Sequence, residues 1–277
     1  MGYKPSPRPT FAEPTPIRLQ DAVRHVWGDE ESGLVQDLIY VSSDRIHALV
    51  FELPPGEAFR HSDSFRTVFA ADELLHVLQG TLVLANPETG EVVRAEPGES
   101  VFFRRDTWHH GFSYGAEELR VLELFAPPPA TGSSGAYART RPYLTRSRYG
   151  DERALGRTVG RSETASFRVL GPADATWRLD TEILVGLLLS TEHLTVATLR
   201  VPAGRSSAEE SHAGDELVYA TAGELRVVAG GVEGELAPGD GFFVPAGVPH
   251  RYEAGGGGTA EAIAGVAPDY RRVATRA

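Results

Sequence analysis

An all-β protein made of two copies of one domain is what this sequence predicts, and three observations carry the prediction. Thirty glycines and nineteen prolines are spread among short apolar runs with period-two alternation, such as VATLRV, ELRVVAG and VVRAEPGESVFF, the pattern of antiparallel strands joined by tight turns. The chain also repeats itself. ELPPG ending at Gly56 matches RVPAG ending at Gly204, DELLHVLQGTLVL from Asp72 matches DELVYATAGELRV from Asp215, and PGESVFFRRDTWHH from Pro97 matches PGDGFFVPAGVPHR from Pro238. The exits agree as well, Phe125-Ala126-Pro127 falling where Val266-Ala267-Pro268 falls. Two long copies indicate a duplicated domain rather than a solenoid, and 277 residues suit two domains of ordinary size.

In chain order, residues 1–31 read as a proline-rich arm with a short helix at LQDAVRHVW. Strands over 34–41 and 46–53 lead into a first domain spanning 32–127. Residues 128–161 are a linker opened by PPPATGSSG and carrying Arg139, Arg141, Arg146, Arg148, Arg153, Arg157 and Arg161. Acidic residues interrupt the second half of that basic run, so it reads as a solvated connector packed across one domain rather than an anion-binding arm. The second domain spans 162–277, with strands near 166–170 and 181–190 before its barrel opens at Val196 and closes at Pro268. EILVGLLLS is long enough for a helix, but its place before a strand in a duplicated β unit favours a strand.

The residues with metal-binding chemistry concentrate in the second copy. Gly204-x5-Glu210-x-His212-x3-Glu216-x6-Gly223 precedes GDGFFVPAGVPH, which reads as a buried strand, a Pro/Gly turn and a histidine, His250, delivered inward. Alternation puts Glu210 and His212 on one face of a single strand, with Glu216 opening the next strand and His250 ending a later one. No cysteine occurs, so a metal here takes histidine and carboxylate ligands. Any one of these residues is ordinarily a satisfied core or rim group. Burying two glutamates with no cation is costly, however, and four ligand types at these offsets favour a metal site.

These paired motifs resemble those of the cupin superfamily, and the repeat makes the chain resemble a bicupin. The resemblance implies two tandem jelly-roll-like, double-stranded β-helix barrels joined by a linker, with a divalent metal held by ligands from both motifs of a barrel. His212, Glu216 and His250 match the family's ligand positions, while Glu210 stands where the family usually has its first histidine. Two carboxylates and two imidazoles favour Mn(II) or Fe(II) over copper. The first barrel departs further, and His61, Glu73 and His109 are its candidates for a second, weaker site. His76 is read there as structural and His110 as facing outward, and Trp108, Phe102 and Phe103 as packing.

A formal charge of −11 argues against nucleic acid as a partner. The polar opening MGYKPSPRPT and the lack of a long apolar run suggest a soluble cytoplasmic protein without a membrane partner. The resemblance implies a small-molecule substrate, a homodimer and three readings of function. The first, and the favoured one, is an Fe(II) dioxygenase-type oxidoreductase, although Glu210 stands against it because those enzymes usually present three histidines. The second is a Mn(II)-dependent hydrolase, isomerase or lyase similar to ureidoglycine aminohydrolase-type bicupins, whose Glu-x-His run Glu210-Ser211-His212 resembles. The third is a non-catalytic small-molecule-binding cupin.

Overall fold

The computed structural model of the protein describes residues 6–129, 135–150, 165–268 and 270. Strands dominate: twenty-one run between Thr15 and Ala267 among the described residues, against one short α-helix, Gly135–Arg139. They fall into two compact units. Unit 1 holds Arg24–Ile39 and Leu49–Gly171, and unit 2 holds Pro9–Val23, Tyr40–Ala48 and the chain from Pro172. Beside the expected spans 32–127 and 162–277, the short segments Pro9–Val23 and Tyr40–Ala48 fall in unit 2.

Each unit contains one large and one small antiparallel sheet. In unit 2 the large sheet runs, in neighbour order, Thr15–Ile17, Gly241–Val244, Asp215–Ala222, Ala260–Ala267, Thr195–Val201, Ile183–Ser190, Thr176–Asp180; the small one is Val232–Leu236, Leu225–Ala229, His250–Ala254. Val218, Ala262 and Phe242 from the large sheet and Val227, Leu236 and Tyr252 from the small one share a core, and each of these is essentially inaccessible. That burial follows from the alternation, which sends every second residue of each strand to the inner face. EILVGLLLS forms a strand, as its position suggests.

The large sheet associated with unit 1 has the same order with the corresponding strands: Arg168–Leu170, Ser100–Phe103, Asp72–Gln79, Leu119–Ala126, His47–Leu53, Gly33–Ser42, Val23–Asp29. Its small sheet is Ala58–Phe59, His110–Ser113, Leu82–Ala85, Val92–Ala95. Each large sheet ends on a strand from outside the repeat. Thr15–Ile17 pairs with Gly241–Val244, and Arg168–Leu170 pairs with Ser100–Phe103. Both cover what would otherwise be open edges, and Pro16 is tolerated because its strand is itself the outermost.

The helix expected at LQDAVRHVW is not present. Leu19–Asp21 makes one 3₁₀ turn and Val23–Asp29 is a strand. Asp240 holds the turn, accepting the Leu19 N–H at 2.9 Å and pairing with Arg18 at 2.8 Å. The β-branched and aromatic residues Val23, Val26 and Trp27 then follow their preference for the sheet.

The described part of the connector packs against unit 1. Its helix places Ala138 with Val68 and Trp108, Leu144 closes the cluster, and Arg66 donates to the carbonyls of Ala138 and Arg141. Arg153, Arg157, Arg161 and the tail from Arg271 lie outside the described residues. Among the described residues no helix is long and apolar enough to cross a membrane.

Candidate metal centre

In unit 2 two backbone devices bring the motif residues together. Glu210 and His250 form an isolated antiparallel bridge with reciprocal N–H···O bonds of 2.9 and 2.8 Å, and the Gly247 N–H donates to the His212 carbonyl at 2.7 Å. Glu210 and His212 thus sit on a connector held by single bridges, not on the regular strand expected. Gly247 makes the bond from a left-handed conformation, φ 78°, which glycine adopts without a Cβ penalty. Glu216 is the second residue of Asp215–Ala222, paired with Val244 on one side and Val266 on the other. His250 opens the strand His250–Ala254 rather than ending one, since the Pro245–Pro249 turn separates it from Gly241–Val244.

All four predicted residues meet. His212 Nε2 is 3.8 Å from Glu210 Oε1 and 3.6 Å from Glu216 Oε2, while His250 Nε2 is 2.9 Å from Glu216 Oε2. Glu210, His212 and His250 each offer a ligand atom within 4.8 Å of the other two. Glu210 is the most accessible of the four at 8 %, against 2 % or less for the others. Both ring nitrogens of His212, Nε2 of His250 and Oε2 of Glu216 are buried and lack an aligned hydrogen bond. The 2.9 Å approach of His250 to Glu216 is therefore a charge contact between atoms turned toward a common point. Buried polar atoms are normally satisfied, and converging imidazole nitrogens and carboxylate oxygens are the donor set a divalent cation takes. The residues fit a metal.

The surroundings orient these atoms. His250 Nδ1 donates to the Val248 carbonyl at 3.0 Å, which leaves Nε2 for the centre. Tyr252, buried beside it, donates its hydroxyl to Glu216 Oε1 at 2.7 Å and frees Oε2. Burial presses Glu216 upward, but the charges of His250 and His212 and the Tyr252 bond outweigh it and hold the carboxyl at about 2. Burial would lower His250, and the Glu216 carboxylate overrides it to raise the imidazole to about 9. Burial, then the Glu216 charge, pushes the Tyr252 phenol well above its usual range, so it remains a donor. Tyr270 stacks on the His212 ring with centroids 4.5 Å apart, and its hydroxyl accepts from Arg178.

Unit 1 differs from its expectation. Glu73 and His109 do meet, Oε2 to Nε2 at 3.8 Å, but His61 does not join them. Its Nδ1 contacts His110 Nε2 at 2.6 Å, and its Nε2 donates to the Leu144 carbonyl at 2.7 Å. His110 is buried rather than outward, with Nδ1 2.8 Å from the Tyr149 hydroxyl, because the connector covers that side of the strand. The residue that joins Glu73 and His109 is Glu123, the three offering ligand atoms within 4.8 Å of one another. His76 is structural, bound to the Ser100 hydroxyl at 2.9 Å, and Trp108, Phe102 and Phe103 are buried packing residues.

The backbone shows why His61 was misplaced. Asp106 N–H donates to the Phe69 carbonyl as Gly247 does to His212, and His109 N–H donates to Thr67 as His250 does to Glu210. Thr67 and Phe69 thus occupy the Glu210 and His212 positions. Counting four residues back from Glu73, as His212 precedes Glu216, finds Phe69. Glu123 lies outside both motifs, and its signal is a charged residue at an inward position of the strand RVLELFA. Tyr252 and Tyr270 carried no such signal.

A family model described as a cupin domain matches residues 49–125 and again 197–265. Among solved structures, a variant of Bacillus subtilis oxalate decarboxylase OxdC aligns with TM-score 0.67 at 13 % identity, covering 96 % of this chain and 80 % of that one. Protein Ylba from E. coli aligns with TM-score 0.65 at 10 % identity over 95 % of this chain and 93 % of its own. AerE from Microcystis aeruginosa aligns with TM-score 0.63 at 11 % identity over 89 % and 97 %. No curated protein matches by sequence. Likenesses at such identity concern the fold and leave the reaction open.

Proposed function

Because the chain belongs to the cupin family, with both barrels matched, we propose that unit 2 is the active centre of a Mn(II)-dependent enzyme performing non-redox chemistry, hydrolysis, isomerisation or lysis, on a small polar metabolite. Glu210, His212, Glu216 and His250 hold the cation, and one observation carries the choice of chemistry. Glu210 lies within the ligand cluster, its Oε1 3.8 Å from His212 Nε2. Two carboxylates balance both charges of the cation and make a hard, oxygen-rich donor set suited to Mn(II). They also lessen the attraction of a three-histidine site for an anionic substrate and shift its redox potential.

When bound, the metal supplies Lewis-acid polarisation of a substrate oxygen or of water. The chain supplies the rest. Tyr252 and the Val248 carbonyl fix Glu216 and His250, so the donor atoms are oriented before anything binds. Tyr270 covers one face of His212 and excludes water from it. Glu210, the most accessible of the four, is the ligand nearest solvent.

The test is metal analysis of protein purified without added metal, then anaerobic reconstitution with Mn(II) or Fe(II) and a screen of small carboxylates and amides with an oxygen electrode running. Turnover with Mn(II) and no oxygen uptake supports the reading. Stoichiometric iron with substrate-dependent oxygen uptake establishes the dioxygenase instead, and absence of metal from unit 2 leaves the binding module.

A further inference from the structure

The first barrel has lost two donors of the motif and gained one elsewhere. Thr67 and Phe69 stand where unit 2 has Glu210 and His212, while Glu123 stands where unit 2 has Ala264, as the registers Glu73↔Phe125 and Glu216↔Val266 show. On the strand pair Asp72–Gln79 and Leu119–Ala126, Glu123 opposes Leu75 and so shares the inner face with Glu73. We propose that unit 1 carries a separate centre for a hard divalent cation, with Glu73, His109 and Glu123 as ligands set among phenyl rings and a structural rather than catalytic role.

Several observations besides the acidic pair point to a ligand. Oε2 of Glu73 is buried with no hydrogen-bond partner and lies 3.8 Å from His109 Nε2. The Thr67 hydroxyl, at the Glu210 position, is buried and unpartnered too. His109 Nδ1 contacts the Thr107 carbonyl at 3.3 Å, the arrangement that in unit 2 turns His250 Nε2 inward. The donor set is one imidazole and two carboxylates, a hard set that neutralises a divalent charge.

Its lining separates it from the centre in unit 2. The rings of Phe103, Phe59 and Phe69 surround His109 at centroid distances of 4.7, 5.8 and 5.9 Å. At the position of Tyr252 stands Gly111, where a Cβ would lie 2.3 Å from the Phe59 ring. Phe59 thus fills the space beside Gly111, next to the ligand strand.

The experiment titrates EDTA-stripped full-length protein with MnCl₂, reading stoichiometry by Mn(II) electron paramagnetic resonance, for wild type, Glu123→Ala, Glu123→Gln and His250→Ala. Alanine is what the other copy carries at that place, and glutamine keeps the volume if alanine fails to fold. Two ions per chain in wild type and one in each variant is the expected result, with Mn(II) still raising the Tm of His250→Ala. One ion in wild type that survives both Glu123 substitutions and disappears in His250→Ala overturns the inference and leaves the unit 2 centre standing. One ion that survives His250→Ala and disappears with the Glu123 substitutions supports it and removes the unit 2 centre. No binding in wild type overturns both.

Discussion

The hydroxyl of Tyr252 donates to Oε1 of Glu216 at 2.7 Å, and this bond divides the carboxylate into one atom that is satisfied and one, Oε2, that is not. Orienting partners of this kind are worth about 10–100-fold in metal affinity. Tyr252→Phe is therefore expected to weaken Mn(II) binding at unit 2 by about that factor, while costing the fold about 1 kcal/mol. Competition titration against a chelator reads the affinity. An unchanged value removes Tyr252 from the metal centre and leaves it a core residue.

Glu216→Gln keeps the volume and removes the charge. It takes away a ligand and also the counter-charge that holds a proton on His250. Burial then drives His250 to its neutral form, so the metal-free protein loses the pair without stranding a cation. The expected cost is about 1–3 kcal/mol, the range for a buried group left without its partner. Denaturant unfolding in EDTA checks the cost, and metal analysis checks the ligand. Full Mn(II) occupancy of unit 2 in this variant contradicts the four-residue centre.

Much of this was legible in the sequence wherever information is local. Gly56 and Gly204 at the turns, Gly98 and Gly239 before the final strands, and the matching exits all recur with positive φ or the same register, because a tight turn admits few residues. The unit 2 cluster was legible because Glu210, His212 and Glu216 lie within seven residues and His250 follows a Pro/Gly turn. What was hidden depends on pairing between distant segments. The partner of Thr15–Ile17 is Gly241–Val244, and nothing in TPI selects it. His61 was misassigned because SDSFRTVFAAD lengthens the connector and breaks a count made from Gly56, whereas hydrogen bonds to Thr67 and Phe69 preserve the register.

The pair in unit 2 also sets a pH dependence for the metal-free protein. His250 is raised to about 9 from an ordinary 6.5, so its contribution is complete below pH 6.5 and is lost as pH rises through 9. Glu216 is lowered to about 2 from 4.5, so its contribution is complete above pH 4.5 and is lost as pH falls through 2. In EDTA the stability gap between wild type and His250→Gln should be widest between these limits and shrink from pH 6.5 to 9.5. Thermal melts of the two proteins side by side measure it, and a gap that stays constant or widens toward pH 9.5 shows that the charge contact does not stabilise the fold.

The turn that delivers His250 allows a conformational cost to be measured apart from packing. Gly247 has φ 78° and nothing within 4 Å of where a Cβ would stand, whereas Gly223, with φ 67°, would place a Cβ 2.3 Å from the Thr259 carbonyl oxygen. Gly247→Ala is expected to lose about 1 kcal/mol, the backbone penalty alone for a residue in the left-handed region. Gly223→Ala adds a clash and should cost clearly more, about 2–4 kcal/mol. Unit 1 supplies the internal control, since Asp106 occupies the position of Gly247 with φ 69°. Short amide and carboxylate side chains tolerate this region, so Gly247→Asn should lie between wild type and Gly247→Ala. Denaturant midpoints give the order, and Gly247→Ala as costly as Gly223→Ala sinks the separation of strain from clash.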